Sequence, residues 1–495
     1  MDTDVIVVGA GPTGLMLAGE LRLAGAEVVV LEQLSQPSRQ SRGLGFTARA
    51  METFDQRGLL AAFGALETSA MGHFGGLVFD YTELADCHFG SRGVPQSQTE
   101  SVLERWANDL GADIRRGVTV RGLTDDGAAV AVTALAADRE ITLRARYLVG
   151  CDGGHSTIRK LGGFEFSGMP ATRGMYLADV IGCDIRPRYL GERLPGGMVM
   201  SMPLGSGVDR VVLCERGAPA VDRGAPVDFA ELAAAWERIT GESIAHGSAA
   251  WASSFSDATR QVAEYRRGRV FLAGDAAHIH LPAGGQGLST GVQDAANLGW
   301  KLGAVVCGRA AAELLDTYHA ERHPVGRRLL ENTQVQGMMY LTGDEADPLR
   351  ALFTELIDHA EVRAHLAGTV SGLDIRYPVE HGSHPLAGRR IPPRPLRTAT
   401  GTTTTTELLH PARWVLLDSG ADVAAAVEPW RDSVTIVAVE PEDRAGLGGV
   451  RAALIRPDGY VAWATDRAHD TASLAEALRG WFGDSSVPLD RAAAR

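Results

Sequence analysis

At 495 residues the chain is long enough for several domains, and 45% hydrophobic with 22% charged residues allows large buried cores. A formal charge of −13 excludes the clustered positive surface that a nucleic-acid partner requires. Five widely spaced cysteines without a CxxC, an acidic N-terminus and no run of ~18 apolar residues point to a reduced, cytoplasmic protein with neither secretory signal nor membrane span.

Residues 5–8 form a short β-branched run, as expected of a strand buried on both faces. The sequence VIVVGAGPTG continues it into a helix and sets Gly9, Gly11 and Gly14 at GxGxxG spacing, with Pro12 and Thr13 between them. There Gly9 permits the tight turn, Gly11 lets the backbone approach a pyrophosphate, and Gly14 lets helix pack on strand. A second strand, 28–31, ends at Glu32 beside Gln33; a carboxylate there accepts hydrogen bonds from an adenosine ribose and repels a 2′-phosphate. The ligand of this unit is FAD or NAD, not NADP.

Residues 147–149 and 270–272 read as further strands of the same α/β sheet. Between about 175 and 264 the texture changes to strand-like pieces, such as 198–202 and 210–213, separated by Pro and Gly turns. This reads as a β-rich insertion that covers a ligand. A Pro-rich segment at 391–395 and the threonine run 402–406 read as a linker. Strands at 414–417, 434–439, 453–455 and 460–463, then a helix at 474–482, predict a separate small α/β domain. The expected division is 1–175 (FAD-binding, with a substrate-side excursion near 73–95), 176–264 (β-rich, substrate-binding), 265–385 (FAD-binding, second part) and 390–495.

Later motifs narrow the ligand. YLVGCDGGHSTIR contains Asp152, Gly153, Ser156 and Arg159; RVFLAGDAAHIHLPAGGQG contains Gly274, Asp275, Pro282, Gly284, Gly285, Gln286 and Gly287; GVQDAANLGWKL supplies a helix and VPQSQTE supplies Gln96. In order and spacing the chain resembles the single-component FAD-dependent aromatic hydroxylases related to para-hydroxybenzoate hydroxylase. SRGLGFTARAMETFDQRG, GHFGGL, LPGGMVM and TELLH resemble the members that tailor angucycline-type aromatic polyketides. The resemblance covers essentially the whole length. It implies a mixed α/β fold: a Rossmann-like FAD-binding domain, an inserted β-rich substrate domain and a C-terminal thioredoxin-like domain without CxxC.

The same resemblance implies tight, non-covalent FAD, NADPH or NADH as a transient co-substrate, and O2, one oxygen of which enters a polycyclic aromatic polyketide through a flavin C4a-hydroperoxide. Arg42 and Gln96 are implied at the ribityl and pyrophosphate side, Asp275 at the ribityl chain, and Asp152 with Arg159 as a buried pair near the nicotinamide approach. The segment from Pro282 through Leu288 and Ser289 is implied to present backbone N–H groups to the isoalloxazine, with a helix N-terminus behind it. Leu288-Ser289-Thr290 stands where many relatives have Asn-Thr, which puts the side-chain contact in question but not the backbone ones. Each residue competes with a plainer role: Asp275 as a strand-end cap, Arg42 and Gln96 as solvated surface, Asp152–Arg159 as a structural ion pair.

No side chain is assigned as acid or base. His73 is the candidate for proton handling and, with Phe74, Met200 and Trp251, for the substrate wall, although such residues on strands are more often core. His278 and His280 alternate without nearby carboxylate ligands, so no metal is expected. Arg266, Arg267 and Arg269 read as a solvated turn rather than a nicotinamide-phosphate site. With no second strand–GxGxxG unit and no cysteine pair, hydride must come from a visiting NAD(P)H. Alternatives are a reductase or halogenase on the same scaffold, the latter lacking its WxW, or a non-catalytic FAD-binding protein. The expected partner is a small aromatic molecule, without nucleic acid or membrane, and the chain is expected as monomer or homodimer.

Overall fold

The computed structural model describes residues 1–38, 40–66, 68–220, 226–379 and 384–483; residues 484–495 of the expected C-terminal domain lie outside them. Strand Thr3–Val8 has a parallel neighbour on each side, Arg139–Gly150 and Val28–Glu32. The sheet continues through Val270–Leu272 to Arg266–Arg267 on one side and ends at Asp113–Arg116 on the other. Val5, Ile6 and Val7 expose nothing to solvent, as a central parallel strand requires. Because the order reverses at Thr3–Val8, a crevice opens beyond its C-terminal end, beside Gly9. Helices Pro12–Leu23 and Gln286–Val306 cross closely here, since a Cβ on Gly299 or Gly303 would lie 2.3 Å from the Cβ of Glu20 or Ala24.

A second, antiparallel sheet is built from Gly174–Ile181, Arg188–Leu194, Gly197–Gly205, Val208–Glu215 and Ser248–Ser256. Its two faces follow the period of two that a strand imposes. Ala178, Val180, Val199, Val211 and Leu213 pack against Leu232 and Trp236 of helix Phe229–Thr240. The alternate residues Met175, Met198, Cys214 and Phe255 face Leu281, Tyr340 and Leu341.

The C-terminal region carries a four-stranded sheet in the order Val434–Ala438, Trp414–Asp418, Ala452–Ile455, Val461–Thr465, the first pair parallel and the rest antiparallel, with helix Thr471–Phe482. This is the thioredoxin-like arrangement, and every cysteine of the chain precedes it. The expected linker is a misreading: Pro395–Thr398 and Gly401–Thr404 pair as a hairpin, while Ile391, Leu396, Thr405 and Thr406 are buried. Threonine is β-branched and suits a strand, and Thr405 Oγ1 donates to Pro392 O at 2.8 Å, tying the proline segment down.

A buried polar cluster docks this region on the FAD half. Arg456 donates to Glu321 at 2.6 and 2.8 Å and to Asp458 at 3.0 and 2.6 Å; Lys301 Nζ and Asn297 Nδ2 reach the same Glu321 carboxylate at 2.8 and 2.6 Å. Arg57 bridges Glu20 at 2.6 and 3.0 Å to the carbonyls of Leu409 and Pro457, and Arg390 meets Glu52 at 2.7 Å. Burial acts to raise the Glu321 carboxyl, but Arg456 and Lys301 outweigh it and hold it at about 2. A carboxyl depressed in the folded state stabilises fully above its unfolded value of ~4.3 and loses that contribution as pH falls toward the folded value. Glu321→Gln should therefore cost about 3–5 kcal/mol at pH 7, by taking from Lys301 its bonded carboxylate and leaving Arg456 with Asp458 alone. In denaturant titrations its deficit against wild type should shrink as the pH is lowered below ~4.

Candidate active site

The GxGxxG turn is sterically obligatory. Gly9 has φ +105°, and a Cβ there would lie 2.4 Å from Cys151 O; one on Gly14 would lie 2.0 Å from Gly9 O. Gly11 instead faces nothing within 4 Å, and it caps helix Pro12–Leu23 without a side-chain bond, so the N–H groups of the first turn are open to a ligand. Pro12 at the helix start has no N–H to leave unpaired. The two Glu32 oxygens accept from Ala10 N and Leu34 N, both at 2.8 Å, and each keeps a second lone pair. Gln33 next to it is exposed.

The other motifs converge on this crevice. Thr13 is wedged against the third motif and the helix after it: a Cβ on Gly274 or Gly291 would come within 2.7 or 2.3 Å of Thr13 Oγ1. Asp275 is exposed at the turn Gly274–Ala276, and Gly153, at φ +75°, has open space around it. Asp152 and Arg159 are not the ion pair expected. Asp152 accepts from Ser156 Oγ, Thr157 N and Ile158 N at 2.5, 2.6 and 3.0 Å, capping helix Thr157–Leu161, while Arg159 donates to Ala276 O and Gly154 O at 3.0 and 2.8 Å. The helix end offers N–H donors that outcompete a longer reach to the guanidinium. Arg159 thus staples the second motif to the third.

Arg42 is exposed; Gln96 Oε1 accepts from Gly43 N at 3.4 Å and its Nε2 donates to Glu100. Leu288 lies against Gly43, and Ser289 Oγ accepts from Thr47 N at 3.0 Å, so both side chains are spent on protein. Pro282 and Gly285 are exposed, and Gly284 and Gly285 both adopt left-handed φ, +68° and +64°. Gln286 turns inward, bonded to Asn332 and to Ala283 O, which leaves only backbone around Gly287 for a ligand. The arginines 266, 267 and 269 are not a free turn: they bind Asp316, Gly162 and Gly163 carbonyls, and Gly127 O respectively.

Sequence reasoning missed what holds the crevice. Asp294 accepts from Arg322 Nε at 2.7 Å, His278 Nε2 at 2.9 Å and Gly274 N at 3.1 Å, all buried. Burial would raise this carboxyl, yet Arg322 and His278 outweigh it and keep it below the ordinary range.

On the antiparallel sheet, Met200 shares the face of Met198 that looks toward Leu281 and Tyr340. Trp251 Nε1 donates to Asp179 Oδ2 at 2.6 Å, and Arg210 grips the same carboxylate at 2.7 and 2.9 Å. Arg210 is 2% exposed, and its Nη1 has no partner among the described residues. Phe74 does not line this face; it is buried in another cluster, stacked on Phe353 with centroids 5.9 Å apart. Tyr340 donates its hydroxyl to Leu190 O at 2.7 Å and so accepts from His73 Nδ1 at 3.0 Å, leaving His73 Nε2 a lone pair. His280 likewise donates Nδ1–H to Leu281 O at 2.6 Å, and its Nε2 sits beside Gly287. Burial lowers both rings, His280 to about 4, so each is neutral at pH 7. His278 is committed to Asp294, so the alternating pair does not act together.

Residues 2–333 match the FAD binding domain family and residues 384–485 the C-terminal domain of aromatic-ring hydroxylases. The chain belongs to the FAD-dependent aromatic-ring hydroxylases. It is a single-component flavoprotein monooxygenase with FAD as cofactor and NAD(P)H and O2 as co-substrates. The hydroxylase is 59% identical to CabE, an aromatic hydroxylase from angucycline biosynthesis, over 98% of this chain and 99% of that one, with a TM-score of 0.94. It is 42% identical to the 12-dehydrotetracycline 5-monooxygenase/anhydrotetracycline 6-monooxygenase of Streptomyces rimosus, over 98% of this chain and all of that one. A dialkyldecalin synthase of Streptomyces rugosporus is 38% identical over 98% of this chain and all of its own.

The crevice fits FAD on three counts: a side-chain-free cradle at Gly11, a ribose-ready carboxylate at Glu32, and an exposed carboxylate at Asp275 across the seam. In the hydroxylase, Asp294→Asn would leave Arg322 buried without its counter-charge. Stability should fall by about 3–5 kcal/mol, and the purified variant should carry less flavin per chain, read as the ratio of flavin to protein absorbance; full flavin loading would refute the role of Asp294 in shaping the crevice.

Proposed function

We propose that this hydroxylase inserts one oxygen atom of O2 into a polycyclic, angucycline-type aromatic polyketide. The observation that carries the reading is the apolar face of Met175, Met198, Met200 and Phe255, which meets Leu281 and Ala283 at the edge of the glycine loop and carries one buried arginine N–H without a partner. A flat, apolar ring system with few oxygens matches such a face: dispersion holds the rings and a single donor orients them. The family and the likeness to CabE support the substrate class.

In this reading Gly9 through Gly14 and Glu32 hold the adenosine diphosphate, Arg42, Gln96 and Asp275 the ribityl and pyrophosphate region, and the backbone of 284–288 the isoalloxazine edge. FAD, when bound, supplies the hydride acceptor and the site of oxygen activation. The remaining work falls to the chain: Arg210 Nη1 donates to a substrate oxygen, and the Nε2 atoms of His73 and His280 are neutral acceptors for a phenolic proton. Residues 1–175 and 265–385 form the FAD-binding part, 176–264 the substrate part and 390–495 the C-terminal part. Because every one of these groups comes from one chain, a monomer is a complete catalytic unit, working in the cytoplasm where NAD(P)H is supplied.

Anaerobic mixing with NADPH or NADH should bleach the flavin faster with a polycyclic phenol present, and product made under 18O2 should carry one heavy oxygen. Label entering from water instead would defeat the proposal, as would conversion of substrate without O2 and NAD(P)H, the outcome expected of a cyclase. Two variants separate the roles. Arg210→Met also removes both bonds to Asp179, so it should lower stability as well as raise KM about tenfold or more, with the smaller change in kcat. Glu32→Gln should weaken FAD binding by about the same factor while leaving KM for the aromatic substrate intact.

A further inference from the structure

A line of buried side-chain amides runs from the substrate-side hairpin to the glycine loop. Gly75 N donates to Gln336 Oε1 at 3.2 Å, Gln336 Nε2 to Asn332 Oδ1 at 2.6 Å, Asn332 Nδ2 to Gln286 Oε1 at 2.8 Å, and Gln286 Nε2 to Ala283 O at 3.2 Å. Gln336, Asn332 and Gln286 are 0%, 8% and 4% exposed, so water does not compete for these bonds. A backbone N–H can only donate and a carbonyl can only accept, so the two ends fix the direction of every amide between them. Flipping any one would set oxygen against oxygen at one contact and N–H against N–H at the other. The chain has one arrangement and transmits a displacement at either end.

Its ends are meaningful places. Gly75 is in the tight turn between strands Met71–Phe74 and Leu77–Asp80, with φ +57°, resting on Met339; His73, two residues away, is bonded to Tyr340. Ala283 opens the turn Ala283–Gly285, whose two left-handed glycines lead into helix Gln286–Val306. Asn332 and Gln336 stand four residues apart on the same face of helix Asp316–Leu341, which spans the two regions. Beside Gln286 and Asn332 lies a cavity of about 40 Å³, room for a water or two, bordered by Thr47, Ser289 and Gln293.

We infer that Asn332 and Gln336 are positioning residues that lock the glycine loop to the substrate-side hairpin, so that the two walls of the reaction chamber move as one. The inference rests on the hydroxylase reading above for its purpose, but its mechanical content does not. In the catalytic cycle the lock keeps the loop in register with bound substrate. Without it, reduced flavin and O2 react while the ring is misplaced, and the reducing equivalents leave as hydrogen peroxide.

The test uses Gln336→Leu and the near-isosteric Gln336→Glu, which keeps the acceptor for Gly75 N and loses the donor to Asn332, alongside Asn332→Leu and the double Leu variant. Amide hydrogen exchange of the full chain, with and without FAD, is the readout that needs no turnover. Each Gln336 variant should speed exchange of residues 283–288 by about tenfold although the substitution lies two amides away, and Asn332→Leu should do the same at Gly75. Exchange that rises only beside the substituted residue overturns the inference while leaving the hydroxylase reading intact. With the FAD-loaded enzyme, peroxide per NAD(P)H consumed should rise at least about threefold in each single variant, and the double should be no worse than either single. Additive losses, or unchanged coupling in variants that hold FAD, also overturn it. If Gln336→Leu does not fold, the Glu variant decides by the same two measurements.

Discussion

The Asp294 carboxylate is the constraint on which the crevice depends. A carboxylate with no solvent contact is costly unless all its lone pairs are met, and Asp294 is met by three donors from two segments: Arg322 from one, and His278 with the backbone of Gly274 from the other. Gly274 N fixes the turn that exposes Asp275, while Arg322 continues to Thr290 O and Tyr377 Oη at 3.2 and 3.0 Å. The turn after the third motif, the start of the helix behind the glycine loop and the segment entering the C-terminal region are thereby held to one atom group. An apolar residue would fill the same space, but it could not dictate where each of the three segments stops.

The same logic explains a thioredoxin-like lobe that has no cysteines. Its turn carries Arg456 and Asp458 into the FAD half, where Glu321 and Lys301 complete the charge balance and four aromatic rings, of Trp300, Tyr377, Tyr460 and Trp481, lie with their centroids 5.1–5.8 Å from the guanidinium. Each ion there would be stranded without the others, so the lobe docks in one orientation. What it supplies is a cap over helices Gln286–Val306 and Asp316–Leu341.

The legible parts of this protein are those whose physics is local. Gly9, Gly11, Gly14 and Glu32 lie within 24 residues, and their spacing alone dictates a turn with no room for Cβ atoms and a carboxylate at the next strand end. Contacts between distant segments were opaque. Asp152 and Arg159 looked like partners by charge, yet nearer backbone groups satisfy both. Phe74 belongs to a core because strand alternation puts it on the side opposite His73. The threonine run was read by composition as a linker, when β-branching suits it to the hairpin it forms. A signal of these contacts is present in the sequence: Asp294, Asn297 and Lys301 recur at spacings of three and four, with Ala, Leu, Gly and Trp between them. That is a polar stripe which can be tolerated in a core only if a matching stripe, here Glu321 and Arg322, faces it.

That matching stripe lies on the 26-residue helix Asp316–Leu341, and its layout joins the two halves of the chemistry. At 1.5 Å per residue it spans about 39 Å, the scale of the whole domain. Its first turns hold Tyr318, Glu321 and Arg322 against the flavin crevice and the C-terminal lobe; its last turns hold Asn332, Gln336, Met339 and Tyr340 against the glycine loop, the 71–80 hairpin and the antiparallel sheet. Such a helix shows no single apolar face because it is packed on several sides by different partners. Parts of the fold that must keep a fixed relation to each other need one rigid body to refer to, and this helix touches the crevice, the glycine loop, the 71–80 hairpin and the antiparallel sheet.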